Sequence, residues 1–259
     1  MTESAVIDLR GSKVHVQRFG RGEPLLFLHG LQGMSENEPG LLELSERYEI
    51  IAPDHPGFGR SDVSDNVDDV KDLAIFYLDL LDALKLDAVH VVGQCLGGWI
   101  AMEMAIYASH RFKSLTLVNS AGLRLKGVPR GDMFVCSEGE LLKLLFAGEG
   151  AKAWLETWRS SPDREDIYER NRAAAAKFSW SPRLCNPKLD RWLHRVKVPT
   201  HVVWSEGNQV IPLAYGEALR DMIPGASLSK VGNAAHLVNL DQPKAFAREI
   251  SQFVGRTAS

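Results

Sequence analysis

A single thiol sits where the chain calls for its sharpest turn. The stretch Val91-Val92-Gly93-Gln94-Cys95-Leu96-Gly97-Gly98-Trp99 runs from an apolar segment into a glycine, one nucleophilic side chain, two more glycines and a helix-forming segment. That order reads as strand, tight turn and helix with Cys95 at the apex, a G-x-Nu-x-G elbow with cysteine in the place usually held by serine. The glycines have a steric reason. The turn holds its central residue in a strained backbone conformation, and side chains at Gly93 and Gly97 would collide with it. A thiol held this way suits nucleophilic attack and a covalent intermediate on sulfur.

The elements around it must deliver that turn to a usable edge. Ala5 to Leu9 and Lys13 to Phe19 alternate as strands do, with Arg10-Gly11-Ser12 turning between them, which predicts an antiparallel hairpin at a sheet edge. Leu25-Leu26-Phe27-Leu28 is a continuous apolar run, as expected of a strand buried on both faces, and it ends at His29-Gly30-Leu31-Gln32-Gly33. A short helix (Leu41 to Arg47), a strand (Tyr48 to Ala52) and a loop from Pro53 to Arg60 follow. Asp69 to Leu84 carries one apolar helical face, and Leu96 to about Ala108 a helix with small residues Gly97, Gly98, Ala101 and Ala105 on one side. Leu115 to Val118 is the next buried strand. Strands alternating with helices imply right-handed crossovers and a mainly parallel sheet with helices on both faces.

From Ala121 to about Lys197 that rhythm breaks into helical patterns at Glu138 to Phe146, Ala151 to Trp158 and Asp163 to Phe178, accompanied by Trp154, Trp158, Trp180 and Trp192. We read the division as a core of residues 1–122 and 198–259 with a helical insertion over 123–197, expected to lie as a lid over the sheet's C-terminal edge; an ordinary packed helical subdomain is the alternative. The sheet resumes at Thr200 to Trp204 and Ala226 to Val231, with helices at Leu213 to Met222 and Pro243 to Val254, and Gly255 to Ser259 as a tail expected to fray.

Composition narrows the classes. A net charge of −3 gives no electrostatic case for nucleic acid or an anionic membrane surface. No apolar run approaches the ~20 residues of a membrane span. The start, Met1 to Asp8, has neither a basic segment nor a signal-type apolar core, so a cytoplasmic location is expected. Cys95, Cys136 and Cys185 are too widely spaced for a metal pattern or a disulfide framework; no metal and no cofactor are expected, and Cys136 and Cys185 are read as bystanders.

These residues carry a resemblance. The His29-Gly30 turn, Asp54-His55-Pro56-Gly57-Phe58-Gly59-Arg60-Ser61, the elbow at Cys95, the loop Trp204 to Pro212 and Gly232 to His236 are similar, in order and strand-end placement, to the α/β-hydrolase family over nearly the whole chain. The resemblance implies an eight-stranded, mainly parallel α/β sheet with helices on both faces and an inserted lid. It places the family's nucleophile at Cys95 and its catalytic histidine at His236. Relatives usually read W-G-x-x-D-x-x-x-P at the acid loop, whereas this chain has Trp204-Ser205-Glu206-Gly207-Asn208-Gln209-Val210-Ile211-Pro212, so the acid position holds Asn208. Glu206 is a second source of a carboxylate in that loop. The two departures are chemically related: a histidine can ionise a thiol beforehand, and the third group then mainly orients the ring, as in the Cys-His-Asn set of papain-like proteases. The oxyanion hole would use the backbone N–H groups of Leu31 and Leu96. His29 and Asp54 are read as structural, as are His15, His55, His90, His110, His194 and His201.

The function so implied is a cofactor-independent hydrolase of an ester, thioester or lactone, acting through an acyl-cysteine on a small, partly apolar acyl substrate. Two alternatives stay open. Asn119-Ser120-Ala121-Gly122 is similar to a segment of C–C bond hydrolases of ketone-type substrates, and the loss of both serine and aspartate also suits a degenerate or engineered hydrolase that binds a ligand without turnover. Oligomeric state is open, a homodimer included.

Overall fold

The computed structural model describes residues 3–148, 152, 155, 156, 160 and 162–257. Its centre is an eight-stranded sheet in the order β1-β2-β4-β3-β5-β6-β7-β8. β1 (Glu3–Leu9) and β2 (Ser12–Gly20) form the expected edge hairpin, closed by Arg10 and Gly11, both at positive φ. β2 pairs antiparallel with β4 (Tyr48–Pro53). From β4 onward every pair is parallel: β3 (Glu23–Leu28), β5 (Val89–Gln94), β6 (Phe112–Val118), β7 (Thr200–Ser205) and β8 (Ser227–Val231).

Burial on both faces is written into alternate residues. Leu25 and Phe27 join Ile50, Val92, Val203 and Phe246 in one core, while Leu26 and Leu28 join Val91, Leu117, Val202 and Trp204 in the other. The helix Leu96–Ala108 is buried at every residue from Leu96 to Ile106, so it is apolar all round rather than striped. The helix Val70–Ala83 packs against it with the stripe read from the sequence, and Asp69 and Asp72 close a capping box at its start.

The chain turns from β4 back across β3 to reach β5, so winding reverses beside β3, and the crevice at such a point, beyond the strands' C-terminal ends, is where open α/β sheets place their sites. Register lines those ends up: Leu28 pairs Gly93, Gln94 pairs Val118, Val118 pairs Val203, and Ser205 pairs Val231.

Between β6 and β7 the described residues form helices Glu138–Leu145 and Arg164–Ser179 and two single 3-10 turns. The expected helix Ala151 to Trp158 falls largely outside the described residues, as do Trp154 and Trp158 themselves. Trp180 and Trp192 are about half exposed, 50% and 49%, and Trp180 packs edge-on against Phe134. The closing helix runs Pro243–Thr257, three residues past the expected end: Phe246, Ile250, Phe253 and Val254 anchor it to the sheet, and Gly255 to Thr257 continue the helix instead of fraying. Among the described residues no helix is long and apolar enough to cross a membrane, and no cluster of His, Cys, Asp or Glu is arranged to hold a metal ion.

Candidate active site

The elbow is built by close backbone approach. Cys95 sits at φ 51° and ψ −113°, a conformation that side-chain-bearing residues seldom adopt, and the surrounding bonds over-determine it. Its N–H donates to the Val118 carbonyl (3.0 Å), and its own carbonyl accepts from Ala121 (2.9 Å) and Gly98 (3.1 Å). Gly97 donates to the His29 carbonyl (2.9 Å), and a Cβ there would run into the Leu28 carbonyl oxygen. The helix thus starts against the β3 turn, where a Cβ on Gly30 would stand 3.1 Å from the Cys95 Cβ and 3.9 Å from its sulfur.

The thiol is 1% exposed. Burial pushes its pKa up to about 12; the Leu31 and Leu96 N–H groups and the Arg130 charge pull the other way without offsetting that. His236 is equally buried, and burial draws its imidazole down to about 3. Its Nδ1–H donates to Asn208 Oδ1 (3.2 Å), which also accepts from the Ile211 N–H (3.0 Å). A carbonyl oxygen can only accept, so the proton lies on Nδ1 and the Nε2 lone pair is left available. Nε2 is buried without a partner, and so is Asn208 Nδ2. The structure therefore brings Asn208 and His236 into contact and holds both thiol and imidazole neutral. Burial works against the thiol ionised beforehand that the sequence suggested, because a site this dry disfavours the ion pair. Glu206 is exposed and hydrogen-bonds neither His236 nor Cys95.

Several supports were not foreseen. Asn119, at φ 44° beyond β6, accepts from Ser205 N–H (2.9 Å) and donates to Ser205 Oγ (2.9 Å) and the His236 carbonyl (2.8 Å), tying the histidine loop to β7. This gives Asn119 a structural reason to be present. Gln94, beside the nucleophile, donates to Asn239 Oδ1 (2.8 Å), and Asn239 donates to Glu38 (2.7 Å), a buried carboxyl whose pKa burial raises to about 7. Asp241 accepts from both Ala235 and Ala147 N–H (2.9 Å each), joining the residue before His236 to the insertion. Asn171 of the insertion donates to the Gln32 carbonyl (2.9 Å) and accepts from Gly59 (2.8 Å).

His29 and Asp54 have the holding roles read for them. His29 donates from Nδ1 to the Gly30 carbonyl (2.7 Å) and accepts at Nε2 from His55 N–H (3.0 Å), while Asp54 accepts from Arg60 N–H (3.0 Å) and meets His15 Nδ1 (3.0 Å). Cys136 and Cys185 carry free thiols and form no disulfide.

A profile described as the alpha/beta hydrolase family matches residues 25–249. The chain is 28% identical over 258 residues to the dihydrolipoyllysine-residue acetyltransferase component of the acetoin cleaving system of Cupriavidus necator, covering 96% of this chain and 68% of that protein. It is 26% identical over 221 residues to 3-oxoadipate enol-lactonase 1 of Acinetobacter baylyi, covering 84% and 82%. Among solved structures, naproxen esterase from Bacillus subtilis superposes with a TM-score of 0.75 at 21% identity, over 98% of this chain and 91% of that one, a likeness of fold.

Proposed function

The chain belongs to the α/β-hydrolase family and is a hydrolase; from that premise we propose that it cleaves esters, thioesters or lactones through an acyl-cysteine on Cys95. The observation that carries the reading is the elbow, which holds Cys95 at φ 51° against the Gly30 turn and the start of its helix, with the Leu31 and Leu96 N–H groups favouring its thiolate. Two fixed donors beside a nucleophile are suited to an oxyanion formed on the carbonyl it attacks, and removing one such donor costs ~3–4 kcal/mol in related chemistry.

Because thiol and imidazole are both neutral, attack and deprotonation go together. The sulfur bonds to the carbonyl carbon as its proton passes to His236 Nε2, which the thiol does not hydrogen-bond in this structure, and the carbonyl electron pair moves onto oxygen under the two N–H groups. The imidazolium then protonates the departing alcohol or thiol as the C–O or C–S bond breaks. Water, deprotonated by His236, attacks the acyl-cysteine, and the sulfur leaves with its proton restored. Asn208 orients the ring and fixes the tautomer but supplies no negative charge to the imidazolium. That deficit is smaller for sulfur than for oxygen, since a thiol is the stronger acid. Thiolate is also a better leaving group than amine or alkoxide, which favours activated acyl groups over amides.

The test uses aryl esters and acyl thioesters, with intact mass spectrometry for an acyl adduct on Cys95. Turnover and adduct should vanish together in Cys95→Ala. Unchanged turnover in that variant would sink the proposal.

A further inference from the structure

The turn that supplies Leu31 is held from the insertion as well as from the sheet. It runs from Gly30 to Gly33 and is closed by the Gly33 N–H on the Gly30 carbonyl (3.1 Å). His29 Nδ1–H donates to the same carbonyl (2.7 Å). The Gly30–Leu31 bond is trans, and a trans peptide unit sets its N–H antiparallel to its carbonyl. Two donors on the Gly30 oxygen therefore fix the direction in which the Leu31 N–H leaves the other side. The turn lies against the nucleophile, since a Cβ on Gly30 would stand 3.9 Å from the Cys95 sulfur. Burial raises the Cys95 pKa, and the Leu31 N–H is foremost among the groups opposing it.

The peptide unit Gln32–Gly33 repeats this arrangement with a partner from the insertion. Its N–H is the group that closes the turn, and its carbonyl accepts from Asn171 Nδ2 (2.9 Å). Asn171 Oδ1 accepts in turn from Gly59 N–H (2.8 Å), so one orientation of the amide satisfies both ends. The side chain is buried, and a Cβ on Gly33 would run into Asn171 Nδ2, which leaves no room for a second side chain between turn and helix. The helix Arg164–Ser179 is seated on either side of it. Arg170 Nη2 donates to the Ser61 carbonyl (2.6 Å), and a Cβ on Gly57 would come within 3.3 Å of Ala174. Asn171, the Gln32–Gly33 unit and the Gly30–Leu31 unit thus form one chain of hydrogen bonds that ends on the Leu31 N–H. Each bond onto a carbonyl also polarises the N–H of the same unit, so the chain strengthens that last donor as well as aiming it.

We propose that Asn171 is a positioning residue for the reaction at Cys95: from the insertion it fixes the turn whose Leu31 N–H receives the substrate's carbonyl oxygen. This rests on the acyl-cysteine reading for what that N–H does, while the hold on the turn stands apart from it. Asn171 acts through two peptide units and not on a reacting atom, so its loss weakens and misdirects a donor without removing it.

The experiment reads the turn and the turnover separately in the unaltered protein, Asn171→Ala, Asn171→Asp and Arg170→Met, with thermal melts for each. Amide hydrogen exchange followed by NMR reads the turn with no substrate present. The Gly33 amide should be protected in the unaltered protein and exchange about tenfold faster in Asn171→Ala, the margin expected of one hydrogen bond between neutral groups. Asn171→Asp keeps an oxygen for Gly59 but sets another against the Gln32 carbonyl, so Gly33 should lose protection there while Gly59 keeps it. With p-nitrophenyl acetate, kcat should fall about tenfold in Asn171→Ala at nearly unchanged KM, less than the ~100-fold or more lost when an oxyanion donor is removed outright. Arg170→Met loosens the helix without touching the turn and should leave kcat unchanged. A Gly33 amide that exchanges freely in the unaltered protein overturns the proposal whether or not any variant folds. A raised KM at unchanged kcat in Asn171→Ala, or a kcat in Arg170→Met as low as in Asn171→Ala, overturns it too, since either makes Asn171 a docking residue alone. An acyl adduct on Cys95, with kcat and Gly33 exchange unmoved in Asn171→Ala, leaves the acyl-cysteine reading standing and removes this one. Turnover that survives Cys95→Ala, with Gly33 exchange still dependent on Asn171, does the reverse.

Discussion

Replacing Asn208 with aspartate should change the charge state of His236 without moving it. The ring's Nδ1–H meets Oδ1 at 3.2 Å, and the Ile211 N–H already holds that oxygen in place. A carboxylate there would face an imidazolium with charge centres ~4 Å apart, worth about 4 kcal/mol at an effective dielectric constant near 20. At 1.36 kcal/mol per pH unit that carries the imidazole from about 3 to ~6. Burial of the new carboxylate works against part of this gain, so ~6 is the upper end. The sign follows from the direction: a depressed histidine is the free base throughout the neutral range. The pH profile of kcat/KM for the parent should therefore run flat from ~pH 5 to 8, and Asn208→Asp should acquire an acid limb near 6. NMR of the His236 ring protons in a Cys95→Ala background gives the same answer without catalysis. A parent profile that already breaks near 6.5, or an Asn208→Asp profile identical to it, refutes the reasoning.

Glu38 offers a stability test of opposite sign. Its pKa is raised from 4.5 to about 7, so between those values the folded chain keeps a proton the unfolded chain has released, and stability falls as pH rises through the window, by about 3 kcal/mol. Glu38→Gln should lose that fall, measured as urea midpoints at pH 4.5 and 7.5; parallel shifts in both proteins would contradict it. Gly97→Ala forces a methyl group against the Leu28 carbonyl oxygen, where neither backbone can yield, and should cost more than the ~1–3 kcal/mol of ordinary overpacking. Thermal melts read this, and a melting temperature unchanged from the parent would refute the close approach. Cys95→Ser and Asn208→Asp should each lower turnover if Cys-His-Asn is the working set. A double variant that far exceeds the parent would identify the pair as an altered Ser-His-Asp arrangement.

The sheet was legible because its signals are local. Leu25 to Leu28 must be buried on both faces whatever surrounds it, Arg10-Gly11 must turn, and Gly93 to Gly98 can pack only as an elbow. The contact of Asn208 with His236 followed from the resemblance of Trp204 to Pro212 and Gly232 to His236 to the family's acid and histidine loops. The Glu38–Asn239–Gln94 chain did not, because its members lie 145 and 201 positions apart and each alone reads as a loop or helix-end polar residue. The effect of burial on the protonation states was not legible for a related reason. A thiol's acidity sums the water excluded by every element around it, and the sequence around Cys95 specifies the turn but not that enclosure. Trp180 and Trp192 show the same limit from the other side: their apolar character was plain and their outward placement was not.

Asp241 couples the insertion to the histidine loop mechanically. One carboxylate receives N–H groups from Ala147 in the insertion and from Ala235 beside His236. A change in the insertion that shifts Ala147 loosens the carboxylate that also holds the histidine loop. Asp241 therefore works as a shared hinge pin: what disturbs the insertion at Ala147 is felt one residue from His236.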